Sequence, residues 1–250
     1  MAEKTLTFHS YIDGQRRNLD NALKFRLFGI ACPKLHDLYA LAIGSLAEAP
    51  NSASPAFGQL LLICHSCYLS AATLVGQAQP DDAGAITRRA IEAVRLAAAM
   101  KADPMILDKW MAYEDRLERW KARREGKKPK PLNIHIPVEH PIVKELMDIW
   151  GMLSDSEVHF TPEYFSSLPW KIERGALFLN YFPGDQQALE RSVVHLVGTH
   201  LSILRVLEEC LDGDFRSIPL WDGVVRSIHE VTKPYADKLG GASDAEVTFD

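Results

Sequence analysis

A cluster of arginine and glutamate residues stands in the middle of the chain, within AITRRAIEAVRL. Arg88, Glu92 and Arg95 share one face of a helix, because residues three and four positions apart are neighbours there. If this face points inward, paired guanidinium and carboxylate groups would orient an anionic ligand. The alternative is an ion-pair ladder between helices. We therefore predict Arg88 and Arg89 as ligand-binding residues and Glu92 as a catalytic residue.

A second candidate is the segment SDSEVHF, which follows the end of a predicted helix. It brings Asp155, Glu157 and His159 together in a loop, where functional residues are common. Histidine transfers protons near neutral pH, and a carboxylate would orient its ring. The alternative is a capping segment, in which His159 bonds a backbone carbonyl. The pattern predicts His159 and Asp155 as catalytic residues.

The sequence Cys64-His65-Ser66-Cys67 contains a CxxC motif. Zinc needs four ligands, and no second CxxC or HxxxH completes a set. A redox CxxC opens a helix, whereas this one lies mid-helix among leucines. Buried thiols are therefore expected, with His65 lining an interior polar site that faces Arg88 or Glu92. No metal and no cofactor is predicted.

Two further patterns carry weaker signals. His195 and His200 are five positions apart on different helix faces, so they do not form a metal pair, and Arg191 and His195 suggest a simple polar contact. A basic run with neighbouring tryptophans would suit nucleic-acid phosphates and stacking, but interleaved acids favour a solvated helix end. The run comprises Arg116, Arg119, Lys121, Arg123, Arg124, Lys127, Lys128 and Lys130.

These residues are positioned by helices. Apolar spacing and start signals predict helices over 55–76, 80–101, 103–124, 142–153, 185–211 and 220–239. Residues 6–12 are expected to be extended, 21–30 to form a short helix, and Pro33 to stand in the first turn of a helix ending near Ala47. The four prolines of 127–141 indicate a surface connection.

The fold class that follows is all-α: an antiparallel bundle of five or more helices, with a short β-hairpin allowed near 171–182. We expect one helical domain over 1–250, with an uncertain N-terminal segment at 1–30 and a flexible tail at 240–250. The 250 residues suffice for a substantial core, and nothing in the composition divides the chain in two.

Composition indicates a cytoplasmic protein. The formal net charge of -5 disfavours a surface built wholly for nucleic acid or anionic lipid. Glu3 and the absence of a following apolar run argue against a secretory signal. The apolar window from Phe57 to Val75 contains Gln59 and His65, so we predict a buried helix and no membrane partner. Four cysteines without framework spacing indicate reduced thiols.

The order LLICHSCYLSAATLV, then AITRRAIEAVRLAAAMKADPMILDKWMAYED, then IWGMLSDSEVHF resembles a bacterial family of helical bundles of unknown function. The resemblance covers roughly residues 55–165. Such families are grouped near the HEPN bundles, many of which are RNases of toxin–antitoxin and phage-defence systems. The resemblance implies a homodimeric bundle with a polar site between helices.

One departure from that family concerns its nuclease signature, an arginine followed by four to six residues and a histidine. Arg191 to His195 is shorter than this spacing and Arg191 to His200 is longer. Two hypotheses follow. The first is a binding or interaction module of a bacterial defence or stress system, with a protein partner. The alternative is a HEPN-like ribonuclease or nucleotide-acting enzyme that uses Arg88, Arg89, Glu92 and His159, with RNA or a nucleotide as its partner.

Overall fold

The computed structural model describes residues 8–48, 55–111, 113–128, 139–153, 170–173, 176–179, 186–211 and 215–240. Nearly all of this is helical, so the predicted all-α bundle is confirmed. The elements are α1 (Phe8–Lys24), α2 (Arg26–Glu48), α3 (Pro55–Gly76), α4 (Pro80–Ala102), α5 (Met105–Met111), α6 (Tyr113–Arg124), α7 (Pro141–Leu153), β1 (Trp170–Glu173), β2 (Ala176–Leu179), α8 (Gln186–Cys210), a 3₁₀ turn (Phe215–Ser217) and α9 (Trp221–Gly240).

The helices α3 and α4 form an antiparallel hairpin at the centre of the fold. They share the most extensive contact between any two helices described. The thiol of Cys64 donates to the carbonyl oxygen of Ala90 at 3.6 Å, which fixes the pairing near the middle of both helices. Pro80 stands in the first turn of α4, where its missing N–H costs nothing, and Asp81 and Asp82 follow. These boundaries are the ones the sequence predicts.

The other helices enclose this hairpin. Helix α8 packs against α2, α3 and α4, while α9 lies mainly on α2 and α7 lies on α4 and α8. Because α4 and α8 supply a long buried face each, the core runs along the bundle. Its largest fully buried side chains are Tyr39, Tyr68, Phe215, Leu27, Leu35, Leu38, Leu61, Ile91, Leu146, Ile203, Leu204 and Leu207.

The N-terminal part differs from the sequence-based expectation. Helix α1 begins at Phe8, so the extended conformation expected for residues 6–12 is wrong from residue 8 onward. A tertiary contact fixes this turn, because the Tyr11 hydroxyl accepts hydrogen bonds from Gln15 and Gln79 at 2.8 Å each. The short helix expected over 21–30 is also wrong, since α1 ends at Lys24 and α2 begins at Arg26.

Pro33 lies inside α2 and not in its first turn, which corrects a second expectation. A proline in a helix interior costs about 3 kcal/mol or more. The turn before it buries Leu27, Phe28 and Ala31, and Leu35 follows, all with exposures of 3% or less. Burying a side chain of leucine or phenylalanine contributes about 1.5–3 kcal/mol. Core packing therefore outweighs the local penalty.

Two regions after α4 allow the sequence-predicted elements to be compared with the structure. The helix predicted over 103–124 corresponds to α5 and α6, which lie on either side of residue 112, a position outside the described residues. Asp103 Oδ1 accepts a hydrogen bond from the Met105 amide at 3.0 Å. Gly126 has φ +68°, a conformation that favours glycine, and ends α6 where the sequence predicts. The strands β1 and β2 pair antiparallel with Trp170 opposite Leu179, which overlaps the region near 171–182 where a hairpin was allowed.

Helix α3 is also long and apolar enough to cross a membrane, by length and composition alone. In the structure 44% of that apolar window is buried against the other helices. The buried side includes Leu61, Cys64 and Tyr68, while Leu62 and Leu69 are exposed. The helix is thus a core element that also presents an apolar outer strip.

Candidate ligand-binding site

Arg88 and Glu92 are held together by a residue that sequence reasoning did not connect with them. The Arg88 Nε lies 3.5 Å from Glu92 Oε1, an ion pair without a hydrogen bond. The indole of Trp150, on α7, donates to Glu92 Oε1 at 3.0 Å. Its ring also faces the Arg88 guanidinium, with 4.3 Å between Cζ and the ring centroid. The pair therefore fastens α7 to α4, as a structural ion pair would.

Arg89 and His65 lie elsewhere. Arg89 is exposed on α4. Burial of the Cys67 thiol raises its pKa, and the positive charge of Arg89 partly offsets that rise. His65 contacts His36 and Tyr39 on α2. In the described ranges no hydrogen bond or ion pair joins His65 to Arg88 or Glu92. The contacts of His65 that the structure shows are with α2, whereas Cys64, the residue before it, bonds to α4.

The other two predicted catalytic residues, Asp155 and His159, fall within 154–169, outside the described residues. Their relation to Arg88 and Glu92 stays a prediction. The same holds for Glu157.

A cleft between α4, α7 and α8 brings together more charged and titratable side chains than any of these positions. Its volume is about 460 Å³. Its lining combines small apolar side chains with five ionisable residues that carry or can carry a charge. The lining comprises Arg95, Ala98, Lys101, Ala102, Glu139, His140, Val143, Glu209 and Cys210. Such a mixture of apolar and polar side chains is typical of small-molecule sites.

A histidine–carboxylate pair forms one wall of this cleft. His140 Nε2 lies 2.7 Å from Glu209 Oε2, joining the start of α7 to the end of α8. Glu209 is about half exposed and His140 is more buried. The other ring nitrogen, Nδ1, is buried and has no hydrogen-bond partner among the described residues. A carboxylate in this position fixes the orientation of an imidazole.

Arg95 also lines the cleft. The sequence suggested that Glu92 sits between two guanidiniums, but the structure pairs it with Arg88. Arg95 is left without an ion pair in the described part of the chain, and its buried Nε has no partner. Because buried polar groups are normally hydrogen-bonded, this Nε is a position where a group from outside the described residues could bind.

Sequence reasoning missed His140 and Glu209 because no local signal joins them. His140 precedes Pro141 in a stretch interpreted as a surface connection. Glu209 is near the end of a helix that was predicted from its apolar residues alone. The two residues are 69 positions apart. Only Arg95 was among the candidates.

A second cavity of about 340 Å³ contains Arg191 and His195, the weakly indicated pair. The buried Thr87 and Thr199 share its lining. Burial lowers the pKa of His195, and the neighbouring Arg191 lowers it further. This imidazole is therefore mostly neutral at pH 7 and contributes little to anion binding.

The thiols behave as the sequence predicts. None of the four cysteines forms a disulfide, and Cys32, Cys64 and Cys210 are buried. Burial raises the pKa of Cys32 to about 12, although a hydrogen bond with Tyr68 opposes the shift. Burial likewise raises the pKa of Cys64. Thiols held protonated are poor nucleophiles and metal ligands, so CxxC redox chemistry is disfavoured.

The basic end of α6 is solvated where side chains are described. Arg124 stacks on the exposed Trp120, with 4.9 Å between Cζ and the ring centroid. Lys127 pairs with Glu125 at 2.8 Å. These contacts occupy both a tryptophan face and a lysine, which favours the solvated helix end over a nucleic-acid surface.

Comparison of the chain with protein-family models, with curated proteins and with solved structures found no match.

Proposed function

We propose that this protein is a binding module whose ligand is a small phosphate-bearing molecule held in the α4–α7–α8 cleft. The observation that carries the proposal is the buried Nε of Arg95, which has no hydrogen-bond partner among the described residues and lines a cleft together with the His140–Glu209 pair. A volume of about 460 Å³ fits within the range of about 300–1,000 Å³ common for ligand sites.

The charges around the cleft narrow the ligand class. Arg95 and Lys101 supply positive charge, and an arginine fork binds phosphate oxygens in a bidentate manner. Glu139 and Glu209 would repel a ligand that is anionic throughout. A molecule with a phosphate at one end and hydrogen-bond donors at the other satisfies both sides, and a nucleotide is of this kind.

The test is binding of a nucleotide panel to the full-length protein by isothermal titration calorimetry. Arg95→Met should weaken binding at least about tenfold, because it removes a charge-assisted contact worth about 1.5–3 kcal/mol. Arg89→Met is the matched control, since it removes the same charge from an exposed position of the same helix. Equal loss in both variants, or loss only in Arg89→Met, would refute the cleft and favour the site predicted from the sequence.

An enzyme acting on such a nucleotide is the second candidate, favoured by the 2.7 Å contact between His140 and Glu209. In this role His140 would be the general base and Glu209 would orient it. His140→Gln should abolish turnover while ligand affinity changes little. Unchanged turnover in that variant would leave binding as the only function of the cleft.

The interaction role and the homodimer remain proposals, supported by α3. This helix has no charged residue, and Leu62 and Leu69 lie two turns apart with 53% and 43% exposure. An uncharged strip can face its own copy without like-charge repulsion. Sedimentation equilibrium should show a dimer that Leu62→Glu together with Leu69→Glu converts to a monomer. A monomeric parent protein would exclude this face as a dimer interface. The cytoplasmic location and the defence or stress system stay predictions.

A further inference from the structure

Two histidines from neighbouring helices approach each other at the surface between α2 and α3. His36 Nδ1 lies 2.9 Å from His65 Nε2. The rings are nearly parallel, with centroids 5.1 Å apart and an interplanar angle of 21°. His36 is exposed and His65 is partly exposed, so solvent reaches the pair.

The ring of His65 is held in place from behind. Tyr39, one turn after His36 on α2, stacks on the ring of His65, with 5.1 Å between the ring centroids. Tyr39 is itself fully buried, stacked on Tyr68 and bonded through its hydroxyl to His200 at 2.8 Å. His65 is thus positioned by a rigid aromatic cluster, whereas the exposed His36 is able to turn. Positioned ligands of this kind lower the cost of binding.

We propose that His36 and His65 together bind a divalent transition-metal ion, with copper(II) or nickel(II) as the preferred class. The neutral imidazole is the form that binds such an ion. On binding, the imidazole that donates the shared hydrogen bond changes tautomer, so both facing nitrogens become free to coordinate.

The ligand type indicates the class of ion. Because the two nitrogens share a hydrogen bond at 2.9 Å, the His36 ring must turn before both lone pairs point at one ion. Imidazole nitrogens suit copper and nickel, and copper(II) stands highest in the divalent series. Square-planar coordination by nitrogen and oxygen is typical of copper(II) and nickel(II).

The site is incomplete as a protein cage. Within the described ranges no group of three or more histidine, cysteine, aspartate or glutamate side chains could hold a metal. Water would therefore fill the remaining positions, and the ion would exchange readily. Asp37 is engaged with Lys34 at 3.3 Å and is not needed as a ligand.

The experiment is a calorimetric titration of untagged, chelator-treated, full-length protein with copper(II), nickel(II) and zinc(II) chlorides. Copper should bind tightest, as its place in the divalent series requires. His36→Gln should weaken copper binding at least about tenfold, and His65→Gln should do the same if circular dichroism shows it folded. His9→Gln, which removes another exposed histidine, should leave the affinity unchanged.

Paramagnetic resonance of the copper-loaded protein supplies a second readout. Coupling to two imidazole nitrogens in the parent protein and to one in His36→Gln is the expected result. Equal copper affinity in the parent and His36→Gln would overturn the proposal, and so would coupling to fewer than two imidazoles in the parent. Because His36 is exposed, its replacement decides the matter even where His65→Gln fails to fold.

Discussion

The hydroxyl of Tyr39 lies 2.8 Å from Nδ1 of His200, and both residues are completely buried although 161 positions separate them. Their rings meet edge to face, with centroids 5.9 Å apart. The other imidazole nitrogen, Nε2, is buried without a hydrogen-bond partner in the described structure. This contact ties α2 to α8 through the only hydrogen bond that the His200 side chain makes among the described residues, so it should matter to stability.

Tyr39→Phe removes that hydrogen bond and leaves a second buried polar atom unsatisfied. We expect a loss of about 1–3 kcal/mol in the free energy of unfolding, measured by urea denaturation followed by circular dichroism. Tyr235→Phe is the control, because Tyr235 is only partly buried and keeps its ring contact with Phe25. Equal stability of the two variants would show that the buried hydrogen bond contributes nothing.

The stability should depend on pH through His200. Burial, with a smaller effect of His65, lowers its pKa in the folded protein from 6.5 to about 3. Below pH 6.5 the unfolded state binds a proton that the folded state does not, so stability is lost as the pH falls from about 6.5 toward 3. The slope from this residue is about 1.4 kcal/mol per pH unit.

His200→Gln isolates this effect, because the remaining titratable groups are the same in both proteins. Denaturant unfolding between pH 7 and pH 4 should give a steeper decline for the parent than for the variant. Parallel curves would mean that the imidazole takes up its proton in the folded state at an ordinary pH.

Trp150 should stabilise the protein through Arg88 and Glu92. Trp150→Leu removes both the hydrogen bond to Glu92 and the face on which Arg88 stacks. We expect a loss of about 1–3 kcal/mol. Trp120→Leu is a matched control, because it removes a tryptophan stacked by Arg124 at an exposed position. A loss in the control as large as that in Trp150→Leu would contradict the structural role of the Arg88 pair.

Gly29 should not accept a side chain. A Cβ placed on it would collide with the backbone carbonyl oxygen of Leu23, where α1 gives way to α2. Gly29→Ala should therefore destabilise the protein by at least about 1–3 kcal/mol, measured as a lower urea midpoint. Gly44→Ala, on the same helix, meets nothing within 4 Å and should be neutral or stabilising by up to about 1 kcal/mol. Equal midpoints for the two variants would show that the backbone at the junction of α1 and α2 can move to accept the added methyl group.

The sequence alone predicted the helices whose ends carry local signals. Pro55 and Pro80 begin helices at the predicted positions, and Gly126 ends one. Proline and glycine act through their own backbone geometry, so neighbours along the chain suffice to place them. Pro33 shows the limit of this rule, because the burial of Leu27 and Leu35 decides where α2 begins.

Only the tertiary structure decided which polar residues meet. Arg88, Glu92 and Arg95 share a helix face in any helical conformation, yet Trp150 determines that Glu92 pairs with Arg88 and that Arg95 opens into a cleft. His140 reaches Glu209 across 69 positions because α7 and α8 pack together. Helix periodicity fixes directions around one axis, whereas the contacts of a site depend on how separate axes pack, which is set by side-chain volume throughout the core.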